Sequence, residues 1–332
     1  MIIEQHAYPR AALIGNPSDG YFGKTIAFVF SNFRAKVQLY NTPHLEIVPE
    51  RMDVDTFESM EDLANRVSSN GYYGGMRLIK AAIKVFYQYC TNNDIKLDSR
   101  NFTIRYCSDI PLRLGLAGSS AIITACMKAM MSFYEVSIEK PVLANLILSV
   151  ENVELGIPAG LQDRVAQVYE TPVFMDFSKA LMDKQGFGTY IPLSREALPN
   201  MYIAFRRQLS EGTEVLHNNL RARYNIGEPA VLAAMEEWAE LTERFRLALA
   251  SNNETEMAAL INRNFDLRRS LVSIEPGNIH MVELARSTGA SAKFTGSGGA
   301  IIGTYTDQTM FDSLKQTLAT NNIEVIKPQV VG

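Results

Sequence analysis

The segment PLRLGLAGSSAIITACMKAM, Pro111–Met130, constrains the fold more than any other stretch. Before it, RNFTIRYCSDIP (100–111) alternates Phe102, Ile104 and Tyr106 with polar partners and ends on proline, the pattern of a strand. After it, 119–133 is apolar and rich in methionine, the pattern of a buried helix. The chain must pass from one to the other in a few residues. Gly115, Ala117 and Gly118 remove side-chain bulk, so main-chain N–H groups can point at an anion. Ser119 and Ser120 fall at the N-cap or first turn, where unpaired N–H groups and the helix dipole favour phosphate. A serine hydroxyl there can also ligate Mg²⁺. A serine-capped turn with no ligand is the plainer alternative, and for a Gly–Ser pair alone it is the better one. The segment is not a Walker A loop, because no Gly-Lys-Ser/Thr follows.

Two more stretches bear on the choice. PAGLQDRVAQ (158–167) places Asp163 in a near-apolar context just after a helix break. KFTGSGGAIIG (293–303) is a glycine-rich hinge between two strand-like runs. A lone aspartate of this kind is more often a helix cap than a catalyst, and a lone glycine hinge is more often a tight turn than a ligand loop. Three such features in one chain are harder to explain separately than as parts of one site.

The rest of the chain mixes helices and strands. RAALIG (10–15) and TIAFVF (25–30) read as strands around the turn NPSDGYFG. PVLANLILSVENVELG (141–156) reads as a helix stopped by Gly156 and Pro158, LQDRVAQVY as a short helix, and PVFMDF (172–177) as a strand. DKQGFGTYIPLSREALPN is loop-like, so a boundary is expected near 180–200. Beyond it come a strand MYIAF and a helix in which Val231, Met235, Trp238, Phe245 and Leu249 recur at three- and four-residue steps. Helices over 254–270, 277–290 and 308–319, strands SAKFTG and AIIGTY, and a strand at 323–327 complete an α+β layer structure.

Composition narrows the partners. At 332 residues with 47% hydrophobic content the chain is long enough for two domains. A formal net charge of -4 supplies no positive field for nucleic acid or anionic lipid. Any phosphate recognition must therefore be local. Cys90, Cys107 and Cys126 share no metal-ligand spacing, and an odd number fits no disulfide framework. Cys107 and Cys126 sit in apolar runs and are expected as reduced core residues. MIIEQHAYPR has no apolar h-region and no basic n-region, so no secretory signal is expected. No stretch reaches the roughly 18 apolar residues of a membrane span. A cytoplasmic protein is the expectation.

These motifs resemble those of the galactokinase/homoserine kinase/mevalonate kinase/phosphomevalonate kinase (GHMP) superfamily. PLRLGLAGSSA is similar to its phosphate loop, Pro-x-x-x-Gly-Leu-Gly-Ser-Ser-Ala, with Ala117 inserted. AYPRAALIGNPSD resembles its first motif, with Arg10 where a lysine is usual, and KFTGSGGAIIG its third. Within the superfamily the glucuronokinases are the most similar, through GNPSDGYFGKTI, GLAGSSAI, AGLQDRVAQVY, NFDLRR and KFTGSGGA. YETPVFMDF departs from them, since paired glycines usually follow the tyrosine.

The resemblance implies a two-domain GHMP kinase fold. Residues 1–190 would form a domain like ribosomal protein S5 domain 2, and 191–332 a ferredoxin-like domain, with ATP in the cleft between them. Gly115, Leu116, Ala117, Gly118, Ser119 and Ser120 would cradle the phosphates. Ser120 and Glu151 would hold Mg²⁺, and Asp163 would be the catalytic aspartate with Arg10 beside it. Asp19, Gln162 and Gly296 would meet the sugar. The implied activity is ATP-dependent phosphorylation of the anomeric hydroxyl of D-glucuronate. Alternatives are another sugar 1-kinase such as a heptose kinase, a non-catalytic sugar-binding homologue, and a related decarboxylase. A substrate carboxylate calls for a cation, best an arginine fork. Lys24, Arg164, Arg206 and Arg207 are the candidates, each equally explicable as a surface ion pair. NFDLRR is similar: helix packing by Arg268 or Arg269 is its plainer explanation. The implied partners are a sugar acid and ATP, with no nucleic acid and no membrane; the oligomeric state is left open.

Overall fold

The structure is a computed structural model that describes residues 2–50, 53, 74–206 and 220–332. Its strands are β1 (Ile2–Ala7), β2 (Arg10–Ile14), β3 (Lys24–Val29), β4 (Ala35–Thr42), β5 (Glu46–Val48), β6 (Asn101–Ser108), β7 (Val173–Asp176), β8 (Thr189–Pro192), β9 (Met201–Phe205), β10 (Lys293–Phe294), β11 (Ala300–Thr304) and β12 (Glu324–Ile326). Its helices are α1 (Gly75–Asn92), α2 (Gly118–Tyr134), α3 (Lys140–Ser149), α4 (Gln162–Tyr169), α5 (Lys179–Gln185), α6 (Pro229–Ala250), α7 (Glu254–Leu271), α8 (Pro276–Ser287) and α9 (Gln308–Ala319). No described helix is long and apolar enough to cross a membrane.

Two compact units interleave along the chain. The first comprises Met1–Pro9, Phe33–Leu112 and Ala117–Val168. Its sheet runs β1-β4-β6-β5, antiparallel except for the parallel pair β5–β6. Helix α2 packs against β1, β4 and α1. It can lie so deep because Ala121, Ala125 and Ala129 keep it thin while Ile123, Met127, Met130 and Phe133 fill the space around it, all of them buried. Helix α3 does not stop at a simple cap. It continues as a π-helical turn, Val150–Glu154, before Gly156 reverses the chain at φ +66. Wider turns of this kind rotate side chains off the regular helix face, and here Glu151 is carried inward to 2% exposure.

The second unit comprises Arg10–Asn32, Arg113–Leu116 and Tyr169–Gly332. It holds two antiparallel sheets, β2-β3-β7-β8 and β10-β11-β9-β12. The stripe Val231, Met235, Trp238, Phe245, Leu249 is buried, as its spacing requires. A second core gathers Tyr202, Phe265, Met281, Phe294, Leu314 and Leu318. Asn253 and Asp307 cap α7 and α9 by accepting from the N–H of Glu256 and Met310, 3.1 and 2.9 Å away.

Several local expectations change. The segment 183–200 is not all loop: β8 pairs with β7, and Arg195–Ala197 is a 3₁₀ turn. A four-residue edge strand with exposed positions carries too little alternation to be seen. Strands β1 and β4 and helix α1 were not read from the sequence; in β1 one of the two isoleucines, Ile2, faces solvent. Cys107 is exposed, whereas Cys90 and Cys126 are buried, and all three are free thiols. Strand alternation explains it: Phe102, Ile104 and Tyr106 take the inner face of β6, so residue 107 points outward.

Candidate active site

In the first unit the turn before α2 ends at Ala117, which takes a left-handed conformation (φ +62) at the N-cap position. Gln167 holds it by donating from Nε2 to the Ala117 carbonyl at 2.9 Å and to the Tyr8 carbonyl at 3.1 Å. The two serines then diverge. Ser120 is fully buried and its hydroxyl donates back to the Ala117 carbonyl at 3.1 Å. Ser119 donates to Glu151 Oε1 at 2.7 Å. The other oxygen of Glu151 pairs with Arg164. Arg164 also reaches Asp163 Oδ2 at 3.1 Å and the Gly160 carbonyl at 2.7 Å. One buried guanidinium therefore serves two carboxylates. Asp163 keeps 17% side-chain exposure on the first turn of α4, where the helix N-terminus favours negative charge. Gln162 is buried beside it at the start of the same helix.

In the second unit two glycine segments meet. Gly115 has φ +64, and a Cβ there would fall 2.9 Å from the Ser297 nitrogen. A Cβ on Gly296 would collide with the Gly115 carbonyl oxygen. Only glycine allows the two backbones this approach. Leu116 accepts from the Arg10 N–H at 3.0 Å, which fixes the loop to β2.

The carbonyls of the glycine-rich loop are gripped by arginines. Arg10 donates to the carbonyls of Thr295 and Gly115, the latter at 3.2 Å. Arg268 donates to Gly296 at 2.7 Å and to Ser297. A trans peptide sets its N–H opposite its C=O, so holding these carbonyls also fixes the direction of the amides that follow them. One turn earlier on α7, Asn264 accepts from the Gly15 N–H at 2.7 Å and donates to the Asn16 carbonyl at 3.1 Å. Helix α7 thus positions both the loop that leads to Asp19 and the loop 295–299. Asp19 sits half-buried in the 3₁₀ turn Ser18–Tyr21.

Arg268 is therefore more than helix packing, while Arg269 forms an exposed pair with Glu283 at 2.9 Å. Asn264 and Arg268 carry roles that sequence reasoning missed. The signal lay in NFDLRR, where the two polar residues are four apart and share one helix face. Of the cations expected to meet a carboxylate, Lys24 pairs with Asp176 and Glu243 (3.3 and 2.6 Å), Arg164 is buried on Glu151 and Asp163, and Arg206 donates to the Asn321 carbonyl. Arg207 lies outside the described residues.

Glu151 and the hydroxyl of Ser119 form a hard oxygen pair that fits Mg²⁺, which takes one or two protein oxygens and fills its other positions with phosphate and water. No group of three or more His, Cys, Asp or Glu side chains that could hold a metal occurs among the described residues.

Comparison with known proteins follows the same lines. Residues 77–171 match the family described as GHMP kinases N terminal domain. The chain is 44% identical over 306 residues to Glucuronokinase 1 of Arabidopsis thaliana, covering 90% of this chain and 84% of that protein. It is 45% identical to Probable glucuronokinase 2 of the same plant, covering 91% and 84%. Among solved structures, the mevalonate kinase of Methanococcus jannaschii superposes with a TM-score of 0.72 at 18% identity, covering 100% of this chain and 98% of that one. The fold is the one shared by these kinases.

Lys293 supplies a test of the loop's electrostatics. It is buried, with Nζ donating to the carbonyls of Ala12 (2.6 Å) and Phe294 (2.8 Å). Burial, and then the like charges of Arg10 and Arg268, hold its pKa well below the ordinary 10.5. Below 10.5 the unfolded chain binds a proton there that the folded chain resists. Stability should therefore rise with pH from the lowered folded value up to 10.5. Urea unfolding from neutral pH upward should show a smaller rise in Lys293→Met than in the wild type. An identical slope in the two proteins would mean that Lys293 is charged in the fold.

Proposed function

This chain belongs to the GHMP kinases, and on that premise we propose that it phosphorylates the anomeric hydroxyl of D-glucuronate, giving glucuronate 1-phosphate. It is an ATP-dependent sugar kinase of that superfamily. The observation that carries the choice of acceptor is the 44% identity to a glucuronokinase over 90% of the chain. The sequential domains 1–190 and 191–332 and a cytoplasmic setting belong to the same reading, the latter supported by three unpaired thiols.

Phosphoryl transfer asks a protein mainly to position and to neutralise. The anomeric oxygen forms a bond to the γ-phosphorus as the bond from that phosphorus to the β–γ bridging oxygen breaks, and ADP leaves. Asp163 accepts or orients the proton of the attacking hydroxyl. Arg164, held between Asp163 and Glu151, favours the ionised form of both carboxylates. Asp19, Gln162 and Gly296 contact the sugar. The turn from Gly115 to Ser120 and the first N–H groups of α2 face the phosphates. Arg10 neutralises charge on the transferring group and holds Gly115 and Thr295 in place. Ser119 and Glu151 would hold Mg²⁺, which when bound would neutralise charge on the phosphate oxygens. The resemblance gives the magnesium role to Ser120; the contact of the Ser119 hydroxyl with Glu151 supports reading it as Ser119 instead.

The acceptor is tested by coupled ADP release with MgATP and, in turn, glucuronate, galacturonate, glucose, galactose and a heptose. Glucuronate should exceed glucose in kcat/KM by at least about tenfold, since a site built for a charged group rejects the analogue that lacks it. Equal rates on the two would contradict the proposal, and activity confined to the heptose would reassign the acceptor. The magnesium pair has its own test. Ser119→Ala should raise the Mg²⁺ concentration for half-maximal rate more than Ser120→Ala does. The opposite order returns the role to Ser120.

A further inference from the structure

A uronate acceptor leaves one group unaccounted for, its carboxylate; of the cations first suspected of binding it, the described ones, Lys24, Arg164 and Arg206, each have a partner. Lys24 already neutralises two carboxylates, and Arg164 does the same in a buried position. Lys179, which lies 5.9 Å from the centre of the Phe22 ring at the end of the same loop, is paired with Asp183.

Arg221 is different. Its side chain is exposed, and Nη2 donates to the Gly20 carbonyl at 2.6 Å. Its guanidinium carbon stands 4.3 Å from the centre of the Tyr21 ring, which is in turn packed on Tyr224 with centroids 4.9 Å apart. Among the described residues it has no carboxylate at ion-pair distance. A guanidinium carries five N–H donors, and the Gly20 carbonyl takes one of them. Gly20 makes the approach feasible: a Cβ there would sit 3.2 Å from Nη2, tighter than ordinary contact. Gly20 and Tyr21 are the two residues after Asp19 in the turn Ser18–Tyr21. The result is a charged fork, immobilised by a hydrogen bond and a ring face, beside the turn assigned to the sugar. A pre-set fork loses little freedom on meeting a planar carboxylate, and this is the geometry that lysine cannot reproduce.

We propose that Arg221 binds the carboxylate of the acceptor and so sets the preference for a uronate over its neutral counterpart. This rests on the uronate reading above. The experiment compares D-glucuronate with its neutral amide, D-glucuronamide, in the wild type, Arg221→Gln and Arg221→Lys. Arg221→Gln should lower kcat/KM for glucuronate by about 10- to 100-fold, chiefly through KM, which marks lost binding that is uniform between ground and transition states. The value for glucuronamide, the KM for ATP and the melting temperature should stay as in the wild type, and Arg221→Lys should recover part of the loss. An unchanged acid-to-amide ratio in Arg221→Gln overturns the assignment, and so does an equal fall on both acceptors, the mark of a merely structural residue. A wild type that uses the amide as well as the acid refutes the uronate reading itself, and Arg221 with it. A wild type that discriminates while Arg221→Gln discriminates equally refutes only Arg221.

Discussion

The first unit depends on one buried pair, Glu151 with Arg164. Taking both charges out of water costs several kcal/mol each, and well-packed apolar residues of similar volume are often as stable or better. Neither partner is more than 3% exposed. The pair nevertheless ties together the start of α2 through Ser119, the π-helical turn through Glu151 and the start of α4 through Asp163. Removing one member would leave an uncompensated buried charge, at a cost of about 3–5 kcal/mol. Stability alone does not explain such an arrangement. The proposed phosphoryl transfer offers a reason, because Arg164 pairs with both carboxylates while leaving Asp163 its contact with solvent.

The second unit solves a different problem, how to hold backbone still without side chains. Loops built of glycine lose more freedom on ordering than any others. Here the freedom is removed by polar anchors on neighbouring elements. Arg10 and Arg268 take up consecutive carbonyls of the loop 295–299, and Asn264 takes both an N–H and a carbonyl of the segment Gly15–Asn16. Trp238 completes the brace by donating to the Asn264 carbonyl at 3.2 Å, which locks α7 against α6. The loops can then be small enough for close approach and still be fixed in orientation, as positioning chemistry requires.

What could be read in the sequence was what is local. Helix α2, the stripe on α6 and the strand–turn–helix at Pro111 announce themselves through periodicity and small residues. The segment that closes on Glu151 looked like an ordinary helix end, because a π-helical turn has no spacing of its own. Partners across long separations were not legible. Asn264 meets Gly15 from 249 positions away and Arg10 meets Thr295 from 285. Ser119 and Ser120 are neighbours of identical chemistry, and only the direction of the helix start decides which hydroxyl faces Glu151. Arg221 carried no motif at all; its position beside Gly20 and Tyr21 singles it out.

The claim that most of this serves is that the chain moves a phosphoryl group onto the anomeric oxygen of a uronate. Phosphorus NMR of the product made from glucuronate and MgATP measures that directly. The account predicts a phosphate monoester signal split by the anomeric proton, with the carboxylate intact and one equivalent of ADP. A signal coupled to any other ring proton, an acyl phosphate, or ADP formed without phosphorylated sugar would contradict it.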